Sequence, residues 1–158
     1  MLVTLENTAL ALWVSESLWA YPSLLACHII GLAIVVGIFS MRDLKLLGFF
    51  PELEVGVFQS LLKLALAGFS INAVSGLLLF SSQASYLATS VPFLSKLACI
   101  TVGMTMALIL QKRLGLAGQL HAHSGEISVD RSTQLLACIS LSVWTGAIIA
   151  GRLIAYIF

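Results

Sequence analysis

Charge is what this sequence has least of. Of 158 residues only 15 are charged, 8 Lys or Arg and 7 Asp or Glu, where a soluble domain carries about a quarter. Too few remain to wet a globular surface. The net charge of +1 gives no electrostatic hold on a polyanion such as nucleic acid. The three cysteines, Cys27, Cys99 and Cys138, lie far apart, so the sequence holds neither a disulfide framework nor a metal-ligand spacing. Residues 1–16 contain no Lys or Arg, and Glu6 and Glu16 stand there instead; a secretory signal, with its basic leading region, is not expected. There is no phosphate loop, zinc motif or nucleophile–base pair. Ser23, Ser70, Ser75 and Ser142 have no base at a useful spacing, so an enzyme is not expected.

What the sequence has is apolar length. Residues 17–41, 64–95, 97–111 and 132–151 contain no Asp, Glu, Lys or Arg. A membrane-crossing helix needs roughly 20 mostly apolar residues, so the runs predict an all-α membrane protein of four spans in a bundle. We place the spans at about 21–41, 59–82, 92–111 and 133–156, in one membrane domain covering 1–158. Pro22 and Pro92 sit where a first helical turn tolerates proline, and Asp130 is a suitable N-cap for the fourth span. Residues 3–15 mix Leu, Val and Trp with Thr, Asn and Glu, which predicts a short helix lying at the membrane interface.

Basic residues set the expected orientation. Arg42 and Lys45 follow span one, and Lys112, Arg113 and Arg131 lie between spans three and four, whereas the N-terminal tail and residues 83–91 have none. Basic loops stay in the cytoplasm. Both termini are therefore expected on the extracytoplasmic side of a bacterial inner membrane.

Small residues at four-residue spacing mark faces for close helix packing. They are Gly68, Asn72 and Gly76 on span two, Cys99, Gly103 and Ala107 on span three, and Cys138, Ser142, Gly146 and Ala150 on span four. The stripes serve the bundle itself, or the last of them (Ser142, Gly146, Ala150) serves a homo-oligomer.

Ionisable residues inside spans point to function because placing them there is costly. At about 1.5 Å per residue, His28 lies roughly 10 Å below the outer end of its helix, Lys96 roughly 6 Å, Arg152 roughly 9 Å and Asn72 roughly 15 Å. No Asp or Glu is expected in a span core to neutralise them, which argues against a carboxylate-driven proton pump. Each residue alone has a plain reading. Lys96 and Arg152 can snorkel to headgroups, His28 can bond a carbonyl or Asn72 across helices, and Asn72 can join helices. Together they predict an electropositive pocket for an anionic partner, with His28, Lys96, Arg152 and Asn72 as its residues. Haem b is one candidate, with His28 on the iron and the two cations on the propionates, serving electron transfer in the membrane. A quinone, a small carboxylate or a lipid headgroup also fits. The alternatives are an oligomeric channel or carrier for a small anion, and a scaffold subunit without ligand. His121 and His123 could bind a metal weakly, but a solvated cytoplasmic loop is the favoured reading.

Three stretches carry a resemblance: His28-Ile-Ile-Gly31-Leu-Ala, Arg42-Asp43-Leu-Lys45-Leu-Leu-Gly48 and Gly151-Arg152-Leu-Ile-Ala-Tyr156. The chain resembles a family of small bacterial four-helix inner-membrane proteins with no assigned function. In that family a first-span histidine precedes a D-L-[RK]-L-L-G turn. The resemblance implies a membrane bundle in which His28 matters. The arrangement is also similar to membrane b-type cytochromes, though a paired histidine is missing, and to copper-resistance membrane proteins, though their Met and His clusters are missing. Arg42, Asp43 and Lys45 at the end of span one read as anchors on the negative end of the helix dipole.

Overall fold

The computed structural model describes residues 2–53, 56–120, 130–154 and 156, with only the backbone of 116–120. His121 and His123 lie outside the described residues. The chain forms α1 (Leu2–Glu6), α2 (Ala9–Glu16), α3 (Ala20–Leu46), α4 (Gly56–Ser82), α5 (Ala84–Leu87), α6 (Val91–Leu120) and α7 (Arg131–Leu153). Among the described residues there is no strand. The four long helices are apolar and long enough to cross a membrane, and they pack as an all-α bundle with consecutive helices antiparallel. Side chains such as Ile29, Ile30, Val74, Leu77 and Leu135 point outward, as a protein solvated by lipid requires.

Local chemistry explains the helix ends. At the end of α3, Gly48 adopts φ +92°, and its N–H donates to Lys45 O while Phe49 N–H reaches back to Leu44 O. That is a Schellman ending, which needs a residue free to enter the left-handed region. The D-L-K-L-L-G segment is thus the last turn of α3 and its stop. Thr8 is extended and caps α2 by accepting from Ala11 N–H, which splits the expected interfacial helix into two. The second piece does not lie free on a surface: Ala11 and Val14 are completely buried, with α2 packed across α4 and α3. Asp130 stands at the expected cap position, and its carboxylate accepts from the Ser132 hydroxyl at 2.6 Å.

Packing pairs α3 with α4 and α6 with α7; α3 also runs along α7, while α4 and α6 barely meet. The inner faces repeat every three or four residues, as in Thr133, Ala137, Ser140, Trp144 and Ala147 on α7. This is the seam spacing of near-antiparallel helices. It is not the stripe expected from the small residues. Cys138 and Ser142 face outward, Gly146 meets Cys99 Sγ, and Ala150 is buried in the monomer. Of the residues expected to join two copies, only Ser142 remains on the exterior.

Candidate functional site

The site begins with a missing Cβ. An ideal Cβ on Gly31 stands 2.7 Å from both Asn72 N and Gly68 O, and one on Gly68 stands 2.7 Å from Ile34 Cγ2. Glycine at both positions lets the α3 and α4 backbones touch, one of the few ways helices attract in lipid. That contact sets the level of everything above it. Gly76, two turns beyond Gly68, leaves room for the His28 ring, whose Cε1 lies 3.0 Å from where a Cβ would be.

His28 is half-buried and bonded at both ring nitrogens. Nδ1 lies 2.9 Å from the Asn72 carbonyl oxygen, which can only accept, so Nδ1 carries the proton. Ser75 Oγ stands 3.3 Å from Nδ1 as a second acceptor, its own hydroxyl donating to Ile71 O at 2.6 Å. Asn72, 6% exposed, returns a bond from Nδ2 to His28 O at 2.9 Å. With Nδ1 protonated, the Nε2 lone pair faces Lys96 Nζ at 3.0 Å. The Lys96 stem lies on Gly151, where a Cβ would sit 3.4 Å from Cδ. One polar node therefore draws on all four long helices.

The sequence-predicted residues divide here. His28, Lys96 and Asn72 come together; Arg152 does not join them. It is exposed, with its guanidinium 5.7 Å from the centre of the Tyr156 ring. Ser75, read as ordinary packing, belongs to the node, and its three-residue step from Asn72 was the available signal. Gly151 carries Lys96, a role that its place in the Gly151-Arg152 stretch did not reveal.

A second polar cluster lies at the opposite end. Arg42 and Asp43 are 1% and 0% exposed. Arg42 Nε and Nη2 both donate to Asp43 Oδ1, at 3.0 and 2.7 Å, and Nη1 donates to Ala107 O on α6 at 2.9 Å. The guanidinium also lies 5.0 Å over the Phe39 ring, which stacks on Trp144. Asp43 Oδ2, Ser140 Oγ and Trp144 Nε1 are buried without a hydrogen-bond partner among the described residues. This corrects two expectations. A buried acid does exist within a span, because α3 continues past Met41 to Leu46. Arg42 and Asp43 are also not surface anchors, since α6 and α7 cover them. The Arg42 charge is already matched by Asp43, so the cluster leaves no net charge to attract an ion.

Glu6 cannot neutralise Lys96. Its carboxylate is taken by Ser85, accepting from the backbone N–H at 2.8 Å and the hydroxyl at 2.6 Å. Those two bonds, the hydroxyl first, hold Glu6 below the ordinary carboxylate range and fasten α1 to α5.

An iron on His28 would need the Nε2 lone pair, which faces Lys96. Among the described residues no three His, Cys, Asp or Glu side chains gather as a metal-binding group. Met104 packs against the Trp144 core cluster. The donor set therefore does not fit a haem with two protein ligands. In comparisons with known proteins, no family model matches the chain, and neither a curated protein nor a solved structure matches it.

Proposed function

We propose that the chain is an integral membrane binding protein whose Lys96–His28 pair holds an anionic ligand. The observation that carries this reading is a charge without a counter-charge. Among the described residues Lys96 Nζ has one hydrogen-bond partner, the neutral Nε2 of His28, although an ammonium has three N–H donors. An unpaired cation at that depth is costly, and an anion accepting the remaining donors offsets the cost. His28 contributes more than a contact. One proton lies between Nζ and Nε2, so the pair can present it from either nitrogen while α4 fixes the ring.

The distribution of basic residues supports an extracytoplasmic position for this node in a plasma membrane. Lys45, Lys112, Arg113 and Arg131 lie at the opposite end, and short basic loops stay inside. The resemblance to small bacterial inner-membrane bundles agrees with that membrane. A haem-based electron carrier is the rival within the same site, and it requires Lys96 to leave Nε2. A channel for anions is less well served, because Val35, Phe39, Ala65, Ala107 and Trp144 close the bundle below the node.

Calorimetric titration of the detergent-purified protein with butyl phosphate tests the reading. Lys96→Gln removes a charge-assisted hydrogen bond worth about 1.5–3 kcal/mol, so affinity should fall about tenfold to a hundredfold. An unchanged affinity, or no binding to the natural chain, refutes it. A Soret band in the purified protein that disappears in His28→Ala assigns the site to haem instead.

A further inference from the structure

A groove of about 590 Å³ is bounded by α5 and the turn after it, the start of α6 and the end of α7. Its size falls within the ordinary range of ligand sites, about 300–1,000 Å³. Ser95 and Ala150 line it, and each immediately precedes a residue of the node, Lys96 and Gly151. The groove and the Lys96 stem thus share one helix–helix seam. Its wall is mixed. Val91, 73% exposed, and Leu153, 43% exposed, are apolar and open outward. Ser90 and Ser95 bring hydroxyls that make no hydrogen bond among the described residues.

Within the spans, charge at this end is one-sided; outside them Glu6 is taken by Ser85 and Glu16 is exposed at the end of α2. Lys96 and Arg152 are cationic, and the only acid within the described spans, Asp43, is at the far end and bound to Arg42. Arg152 stands next to Leu153 and is exposed, where it can meet a group at the groove mouth. A free ion from water gains nothing from the apolar wall. A molecule carrying both an anion and hydrocarbon gains from both parts, and the groove opens on the side where such molecules are the solvent.

We infer that the anionic ligand is the phosphate headgroup of a membrane lipid, entering sideways from the bilayer through the α6–α7 groove. This rests on the anion-binding reading of the Lys96–His28 pair and adds the class of ligand. The phosphate oxygens accept from Lys96 Nζ, with the Ser95 hydroxyl at the entrance. The acyl chains lie along Val91, Ala150 and Leu153, and Arg152 faces the outer side of the headgroup. Anionic lipid is preferred over zwitterionic lipid because a choline group would meet Arg152.

The test compares three probes on the delipidated, detergent-purified chain: phosphatidylglycerol and phosphatidylcholine by native mass spectrometry, and butyl phosphate by calorimetry. Phosphatidylglycerol is expected to bind at least about tenfold more tightly than either of the others. Val91→Trp fills the apolar wall of the groove from an exposed position and should weaken phosphatidylglycerol about tenfold while leaving butyl phosphate unchanged. Lys96→Gln should weaken both. If butyl phosphate or phosphatidylcholine binds as tightly as phosphatidylglycerol, or if Val91→Trp has no effect on the lipid, the lipid assignment is overturned and the anion site stands. Lipid binding indifferent to Lys96→Gln means a non-specific annular lipid, which also overturns it. If none of the probes binds, the anion site itself is refuted.

Discussion

Replacing Gly31 with alanine tests the contact on which the whole node depends. The added Cβ would stand 2.7 Å from two backbone atoms of α4, Asn72 N and Gly68 O, and neither belongs to a flexible side chain. Ordinary contact begins near 3.4 Å, so α3 and α4 must part locally by about 0.7 Å, the difference of the two. The same displacement would stretch the bond from His28 Nδ1 to Asn72 O from 2.9 Å to about 3.6 Å, outside hydrogen-bond reach. Overpacking costs about 1–3 kcal/mol. The two hydrogen bonds joining His28 and Asn72 add about 0.6 kcal/mol each on the average for membrane helices. Gly37→Ala is the control: on the same helix, a Cβ there meets nothing within 4 Å, and both variants share the gain in helix propensity. The difference between them should therefore be about 2–4 kcal/mol. Reversible unfolding in bicelles by added SDS measures it, and butyl phosphate affinity should fall only in Gly31→Ala. Two variants unfolding at the same SDS fraction would show that the close crossing does not hold the bundle.

Three other outcomes follow from the structure. Asp43→Asn leaves Arg42 buried without its counter-charge and should destabilise the bundle by about 3–5 kcal/mol, whereas Arg42→Met with Asp43→Leu should recover most of that loss; SDS unfolding of the natural chain and the two variants checks the pattern. The Glu6 link to Ser85 has a pH signature. Glu6 titrates below the ordinary carboxylate range when docked, so its contribution is complete above that range and is lost as pH falls through the docked value. Amide protection over residues 2–16, taken relative to the intrinsic exchange rate at each pH, should fall on acidification in the natural chain, and Ser85→Ala should show the lower protection already at neutral pH. Asp130 is held low mainly by the Ser132 hydroxyl, so protection at the first turn of α7 should likewise fall in acid, and Ser132→Ala should abolish the pH step.

Much of the architecture was legible because lipid imposes a coarse rule. Uncharged apolar runs long enough to cross a bilayer predicted the four long helices, and Pro22 and Pro92 fell in first turns. Counting residues from helix ends brought His28 and Lys96 to one level, and Nε2 and Nζ do meet. Which face of each helix turns inward was not legible. In a soluble helix the apolar side marks the core, but here both sides are apolar. Small residues therefore occur both on the seam and outside it. On α7 the stripe through Cys138 and Ser142 faces outward, while Ala137, Ser140 and Trp144 form the seam. Arg152 shares the depth of Lys96 but has the wrong azimuth, and depth alone says nothing about that. Asp43 was read as an anchor because a charge at a span end ordinarily is one. Its burial follows from the Schellman stop at Gly48, which lets α3 run on beneath α6 and α7.

The amino-acid order alone thus determined that this chain lives in lipid, how many times it can cross, and at what heights its rare polar groups stand. Those are properties of single helices, decided by the cost of taking charge and open backbone out of water. Tertiary structure decided the rest: that glycines bring α3 and α4 into backbone contact, that an imidazole on α3 and the amino group of a lysine on α6 meet beside that crossing, and that a guanidinium at the same height turns away. Such facts depend on rotation about helix axes, and in a solvent as apolar as the side chains only packing against neighbours sets that rotation.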